Sequence, residues 1–150
     1  MCAFFIGVGM ETKYIEELIR LANKAYQRDE VPVAAIIVCN NKIIAKAYNK
    51  RISTKYTISH AEIEAITQAN RKIKDWRLNE CVMYVTIKPC EMCEKVIRES
   101  RIEKVYYLVD RNLKKLQYSK TQFLKIPEIS SDESIKKYKN KLKNFWKNKR

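Results

Sequence analysis

Residues 81–109 read CVMYVTIKPCEMCEKVIRESRIEKVYYLV, and their pattern decides the class of fold. Residues 81–87 form a short run of apolar and β-branched side chains, the composition of a buried strand. Pro89 to about Ser100 has helical spacing, and Pro89 suits a first helical turn, where its missing N–H costs nothing. Residues 103–109 (EKVYYLV) read as the next strand. Strand, helix and strand in such close succession form a βαβ unit with a right-handed crossover.

Working outward, HAEIEAITQANRK at 60–72 predicts another helix, with Ser59 as its N-cap. VPVAAIIV at 31–38 and KIIAKAY at 42–48 predict two strands joined by a tight turn at Asn40-Asn41. Residues 11–27 place apolar side chains at 14/15, 18/19, 22 and 25/26, the stripe of an amphipathic helix. Downstream, KTQFLKI at 120–126 reads as a fifth strand. From Ser131 onward, Ile135, Tyr138, Leu142 and Phe145/Trp146 mark an amphipathic helix whose apolar face is expected to pack on the domain. The order implies a central sheet with helices on its faces. No repeat and no Gly/Ser/Pro linker interrupts it, so residues 1–150 are expected to form a single domain, with 131–150 as a basic C-terminal helix. Residues 1–9 read either as an incidental extension ahead of Met10 or as a short N-terminal arm.

Charge is unevenly spread. Residues 1–110 hold 18 basic and 14 acidic side chains, and residues 111–150 hold 13 and 3. Such a basic final quarter suits a polyanion, although a solvated lysine-rich surface would look the same. No window of 18 or more apolar residues exists, so a transmembrane helix is not expected and no membrane partner is foreseen. The five cysteines are odd in number and no secretory signal precedes them, which points to a reducing, cytoplasmic compartment. Cys39 and Cys81 sit in apolar runs and read as core.

Cys90 and Cys93 differ from them. They open one helix at i and i+3, while His60, the chain's only histidine, opens another. Helices that follow parallel strands start at the same sheet edge, so these three side chains are expected to converge there. Two thiolates and an imidazole make a three-ligand zinc site with a fourth position open, the mark of a catalytic metal. Glu62, two residues after His60, reaches the same place without being a ligand and can relay protons. A lone CxxC is often a buried or redox pair, but such a pair has no need of His60 or Glu62.

The pattern His60-Ala61-Glu62 followed by Pro89-Cys90-Glu91-Met92-Cys93 resembles the zinc-deaminase signature of the cytidine deaminase-like superfamily. Within it the sequence is most similar to bacterial tRNA-specific adenosine deaminases. Supporting stretches are Glu30 to Ala35 (EVPVAA), Leu78 with Met83 to Thr86, Arg101-Ile102, and Phe145-Trp146 before the final basic residues. The resemblance implies a three-layer α-β-α fold around a mixed five-stranded sheet. It implies one Zn2+ per subunit, a homodimer, and hydrolytic deamination of adenosine to inosine at the wobble position of a tRNA anticodon stem-loop. It assigns Asn49 to hydrogen bonding with the base, and Val33, Ala61 and Pro89 to its pocket. Phe145, Trp146, Lys147 and Arg150 become RNA contacts.

Three departures stand out: Lys88 in place of the family's Glu, Ala34 in place of its Gly, and only about ten residues between Asp110 and the fifth strand. So short a connection fits a compressed crossover or an antiparallel fifth strand. Two other readings remain: a zinc deaminase of a free base or nucleoside (guanine, cytosine or cytidine), and a non-catalytic, zinc-stabilised RNA-binding protein.

Overall fold

The structure, a computed structural model, describes residues 8–111 and 133–148. The chain falls into two compact units, Met1–Leu113 and Lys114–Arg150.

The first unit opens with α1 (Val8–Tyr26), which starts ahead of Met10. Its buried stripe is Tyr14, Leu18, Leu21 and Ala25. β1 (Ala34–Cys39) and β2 (Lys42–Tyr48) follow as the expected hairpin. Asn40 and Asn41 both take positive φ (51° and 59°), the backbone that a two-residue turn needs to match strand twist. β1 begins three residues later than its apolar run suggested. Pro32 has no N–H for a ladder, and regular pairing starts where the Ala34 N–H donates to Thr86 Oγ1 at 3.1 Å.

A four-residue helix, α2 (Arg51–Thr54), leads to α3 (Ala61–Ile73), β3 (Cys81–Ile87), α4 (Glu91–Glu99) and β4 (Lys104–Val109). The strand order is β2-β1-β3-β4. β1 is antiparallel to both neighbours, and β4 is parallel to β3. Among the described residues the mixed sheet therefore has four strands in place of the expected five. The fifth strand expected at 120–126, and the connection before it, lie outside the described residues.

Alternation on β1 and β3 feeds two cores. Ala35, Ile37, Met83 and Val85 face α3 and α4, packing on Ala61, Ala65, Ala69, Cys93 and Ile97. Ala34, Ile36, Val38, Val82 and Tyr84 face α1. The alanines at 61, 65 and 69 recur every four residues, so one smooth helical face approaches the sheet closely. Each large side chain fully buried here contributes about 1.5–3 kcal/mol, which makes the sheet a stiff platform for whatever stands on its edge. The result is three layers, α1 below the sheet and α3 with α4 above it.

The second unit contains α5 (Glu133–Asn148), with Lys136, Lys137, Lys139, Lys143 and Lys147 exposed. The side chains expected to form its apolar face lie outside the described residues. Among the described residues no helix is long and apolar enough to cross a membrane.

Candidate active site

The pairing register puts the C-terminal ends of β2, β3 and β4 at one edge of the sheet, beside the start of β1. Open α/β sheets place their ligands beyond such an edge. Both helices that leave it begin with a chemically active residue. His60 is the N-cap of α3 (φ −75°, ψ 152°), and Cys90 is the N-cap of α4 (φ −73°, ψ 167°).

Two expectations about these starts change. Ser59 is not the cap: it is buried, with its hydroxyl 2.9 Å from that of Thr54. Pro89 precedes the helix cap and does not stand in the first turn. Its ring fixes φ in the turn after β3, and the N-cap falls to the cysteine that must face the edge.

His60 Nδ1 lies 3.7 Å from Cys90 Sγ and 3.5 Å from Cys93 Sγ. All three donor atoms fall within 4.8 Å of one another. Cys93 is buried and the other two are half-buried, so the group is open on one side.

The two sulfurs are close enough for the Cys93 thiol to bear on the Cys90 sulfur. A hydrogen bond from the Cys93 thiol, opposed by burial, holds Cys90 down at about 4. The Cys93 N–H and His60 assist, although that N–H falls short of a full capping bond. The same pairing, with burial added, pushes Cys93 above the ordinary thiol range. Two sulfurs and a nitrogen at this spacing, one sulfur already a thiolate, form a donor set that fits a soft or borderline metal ion.

Glu62 stands one position inside α3 and is only 3% exposed. Its Oε2 has no hydrogen-bond partner among the described residues. Burial pushes its carboxyl above the usual carboxylate range. A buried, unpaired carboxylate oxygen costs stability, and such a cost is characteristic of a site that needs the group for chemistry.

A cavity of about 270 Å³ opens over this group. Asn49, Val33 and Ala61 line it together with His60 and Glu62. The Asn49 N–H donates to the Val33 carbonyl at 2.9 Å, tying the ends of β2 and β1 together. Pro89 is buried but borders a second hollow, with Glu94 and Ile102. Phe145, Trp146 and Lys147 lie on α5 in the second unit, and Arg150 lies outside the described residues.

Sequence reading missed several lining residues: Arg51, Asp110 and Arg111, with Lys88 noticed only as a departure. Asp110 and Arg111 follow the last residue of β4, so the rule that strand ends carry sites could have found them. It also missed Glu30. This carboxylate accepts from the N–H groups of Ile52 (3.0 Å) and Ser53 (2.7 Å), capping α2 from a distance because Lys50 at the cap position has no acceptor. Burial opposes its ionisation, but those two N–H bonds outweigh it and hold the pKa below the usual carboxylate value.

The MafB19-like deaminase family model matches residues 10–150. The chain belongs to this deaminase family. A tRNA-specific adenosine deaminase of Buchnera aphidicola subsp. Schizaphis graminum is 35% identical over 147 residues, covering 93% of this chain and 96% of that protein. One from Bacillus subtilis is 42% identical over 94 residues, which span 63% of this chain and 58% of that protein. A structure solved in a study of A-to-I editing by tRNA:A34 deaminases shares 34% identity, with a TM-score of 0.66 over 67% of this chain and 72% of that one. The guanine deaminase of Bacillus subtilis superposes with a TM-score of 0.72 over 86% of this chain and 93% of that one, at 20% identity, which bears on the fold alone. The deaminase has the α/β cytidine deaminase-like fold.

Proposed function

We propose that this deaminase converts adenosine to inosine by hydrolysis at the wobble position of a tRNA anticodon, with His60, Cys90 and Cys93 holding zinc and Glu62 moving the protons. The observation that carries the reading is the convergence of three metal donors, one of which, His60, lines a cavity of about 270 Å³ together with Glu62, whose Oε2 is unpaired among the described residues. Relatives named for tRNA adenosine deamination support the substrate.

Zinc suits the donor set. A tetrahedral ion with bonds of about 2.3 Å to sulfur and about 2.0–2.1 Å to nitrogen separates S from N by about 3.5 Å. The observed separations are 3.5 and 3.7 Å. Three protein ligands leave one position free, as in catalytic sites. When bound, zinc lowers the pKa of a water towards about 7 and so supplies a nucleophile at neutral pH.

The chain's own residues then do the rest. Glu62 takes a proton from the attacking water at Oε2 and delivers it to the ring nitrogen N1 as the new C6–O bond forms. Glu62 then carries the remaining proton of the new C6 hydroxyl to the exocyclic amine, and the C6–N bond breaks as the C6 carbonyl forms. Adenosine and water become inosine and ammonia. The raised affinity of buried Glu62 for a proton suits a group that must hold one between these steps. Asn49 hydrogen-bonds the extruded base, and Val33 and Ala61 pack on it. Pro89 acts through the turn that presents Cys90. Phe145 and Trp146 stack on unpaired nucleotides, and Lys147 and Arg150 meet phosphates. The active form is a cytoplasmic homodimer.

The test is inosine formation on an anticodon stem-loop carrying A34, run beside free adenosine, guanine, cytosine and cytidine. Conversion of the stem-loop alone is expected. Conversion of a free base or nucleoside, with the RNA untouched, would keep the chemistry and overturn the substrate.

A further inference from the structure

Tyr48 ends β2, one residue before Asn49 of the cavity, and three cations gather round its ring. Lys24 Nζ lies 5.6 Å from the ring centroid, the Arg28 guanidinium carbon 5.9 Å, and Lys50 Nζ 5.3 Å. They come from separate places, the last turn of α1, the turn after it, and the segment leaving β2. Lys24 and Arg28 are exposed and Lys50 is half-buried.

One aromatic face attracts a cation by about 0.5–1 kcal/mol at an exposed site. Three like charges round one ring repel one another, so a single ring is a poor reason to gather them. The nearby acids do not relieve this. Glu30 is committed to capping α2. The ion pairs among the described residues are Arg20–Glu17, Lys46–Glu17 and Arg77–Asp75, and none includes Lys24, Arg28 or Lys50. A concentrated positive charge without its own counter-charge implies an anion from outside.

Position narrows the anion. Lys50 is followed by Arg51, which lines the cavity together with Lys88 and Arg111, three cations against the two acids Glu62 and Asp110 of the same lining. Positive charge therefore runs from the cavity mouth past Asn49 to the ring of Tyr48. A single small anion would need a compact pocket, whereas a chain of phosphates follows a track.

We propose that Lys24, Arg28 and Lys50 form a docking site for the phosphate backbone of the RNA strand that leaves the catalytic cavity. This rests on the RNA reading of the cavity but adds a site built from residues of the first unit. The site holds the strand flanking the reacting nucleotide, so that binding at the flank helps draw one base into the cavity.

The test is binding of an anticodon stem-loop to the full chain across a salt series. The variant is Lys24→Gln/Arg28→Gln/Lys50→Gln, with Arg71→Gln/Lys72→Gln/Arg98→Gln as a control of equal charge loss on the far ends of α3 and α4. Removing one lysine or arginine from a phosphate lowers the slope of log K against log salt by about 0.7–0.9. The triple variant is expected to show a slope smaller by about two and to bind at least tenfold more weakly at low salt, and the control to change much less. In the unaltered protein, bound stem-loop is expected to protect Lys24 and Lys50 from acylation.

Equal effects of variant and control, or no protection of these lysines, would overturn the site. So would poly-glutamate binding abolished in the variant while RNA binding stays intact, which would assign the patch to an acidic protein. Because slope and protection are read from binding, they decide this site whether or not the stem-loop is deaminated, and a failure of the RNA reading would show separately in the turnover assay.

Discussion

The chain carries two cysteine pairs, and their surroundings make them opposites. Cys39 and Cys81 face each other across β1 and β3, at the sheet edge away from the cavity. Cys90 and Cys93 sit at the N-terminus of α4, at the cavity edge. Burial, then the neighbouring thiol of Cys39, pushes the Cys81 thiol up to about 12. The partner thiol and the helix start hold Cys90 at about 4. Two residues of one type are thus kept as inert core in one place and prepared as a metal ligand in the other. What separates them is a histidine within 4 Å and unpaired helical N–H groups, neither of which a strand interior offers.

The strongest way to break this contrast is Cys90→Ala. Zinc content is expected to fall from one per chain towards none, and turnover by at least about a thousandfold, since the nucleophile goes with the metal. Metal analysis and inosine formation on the same sample check it. Alkylation sharpens the contrast next. In metal-free protein at pH 6–7, Cys90 lies above its pKa and is a thiolate, whereas Cys81 lies far below its own and stays a thiol. Cys90 is expected to react at least about a hundredfold faster even after allowing for the weaker nucleophilicity of a low-pKa thiolate. Peptide mapping with iodoacetamide reads this, and zinc should protect Cys90 and Cys93 but leave Cys81 unaffected.

Cys81→Ala is expected to act on stability only. Removing one buried sulfur leaves a small cavity costing about 1–2 kcal/mol, with zinc content and kcat unchanged. Denaturant unfolding and the turnover assay separate the two. The smallest effect lies outside both pairs. Hydrogen bonding to Arg20, assisted by Lys46, holds Glu17 at about 2, below its ordinary 4.5. A depressed carboxylate stabilises the fold above its unfolded pKa and loses that contribution as pH falls from about 4.5 to about 2. The partners are half-exposed, so Glu17→Gln should cost no more than about 0.5–1 kcal/mol at pH 7, and the cost should shrink as pH falls towards and below about 2.

Much of this was legible in the sequence, because local rules and tertiary structure agree in the sheet. The bounds of β2 and β3 match the apolar runs, and the Asn40-Asn41 turn has the backbone that its residues favour. The convergence of His60 with Cys90 and Cys93 followed from where helices start relative to parallel strands. Reading failed where a residue's partner is not the one its local pattern suggests. Ser59 looks like a cap, yet its neighbour Thr54 engages it and His60 takes the cap. Glu30 looks like a surface acid, yet it caps a helix twenty residues on. Arg51 and Arg111 carry no motif, and only the strand ends bring them to one cavity.

Glu62 is the residue on which the chemistry turns, and replacing it by glutamine tests the account most directly. Wild type and Glu62→Gln should each hold one zinc per chain by native mass spectrometry. Only the wild type should form inosine on an A34 stem-loop at full rate, with the variant slower by about 10²–10⁴-fold. A variant that keeps its zinc and turns over as fast as the wild type would contradict the account.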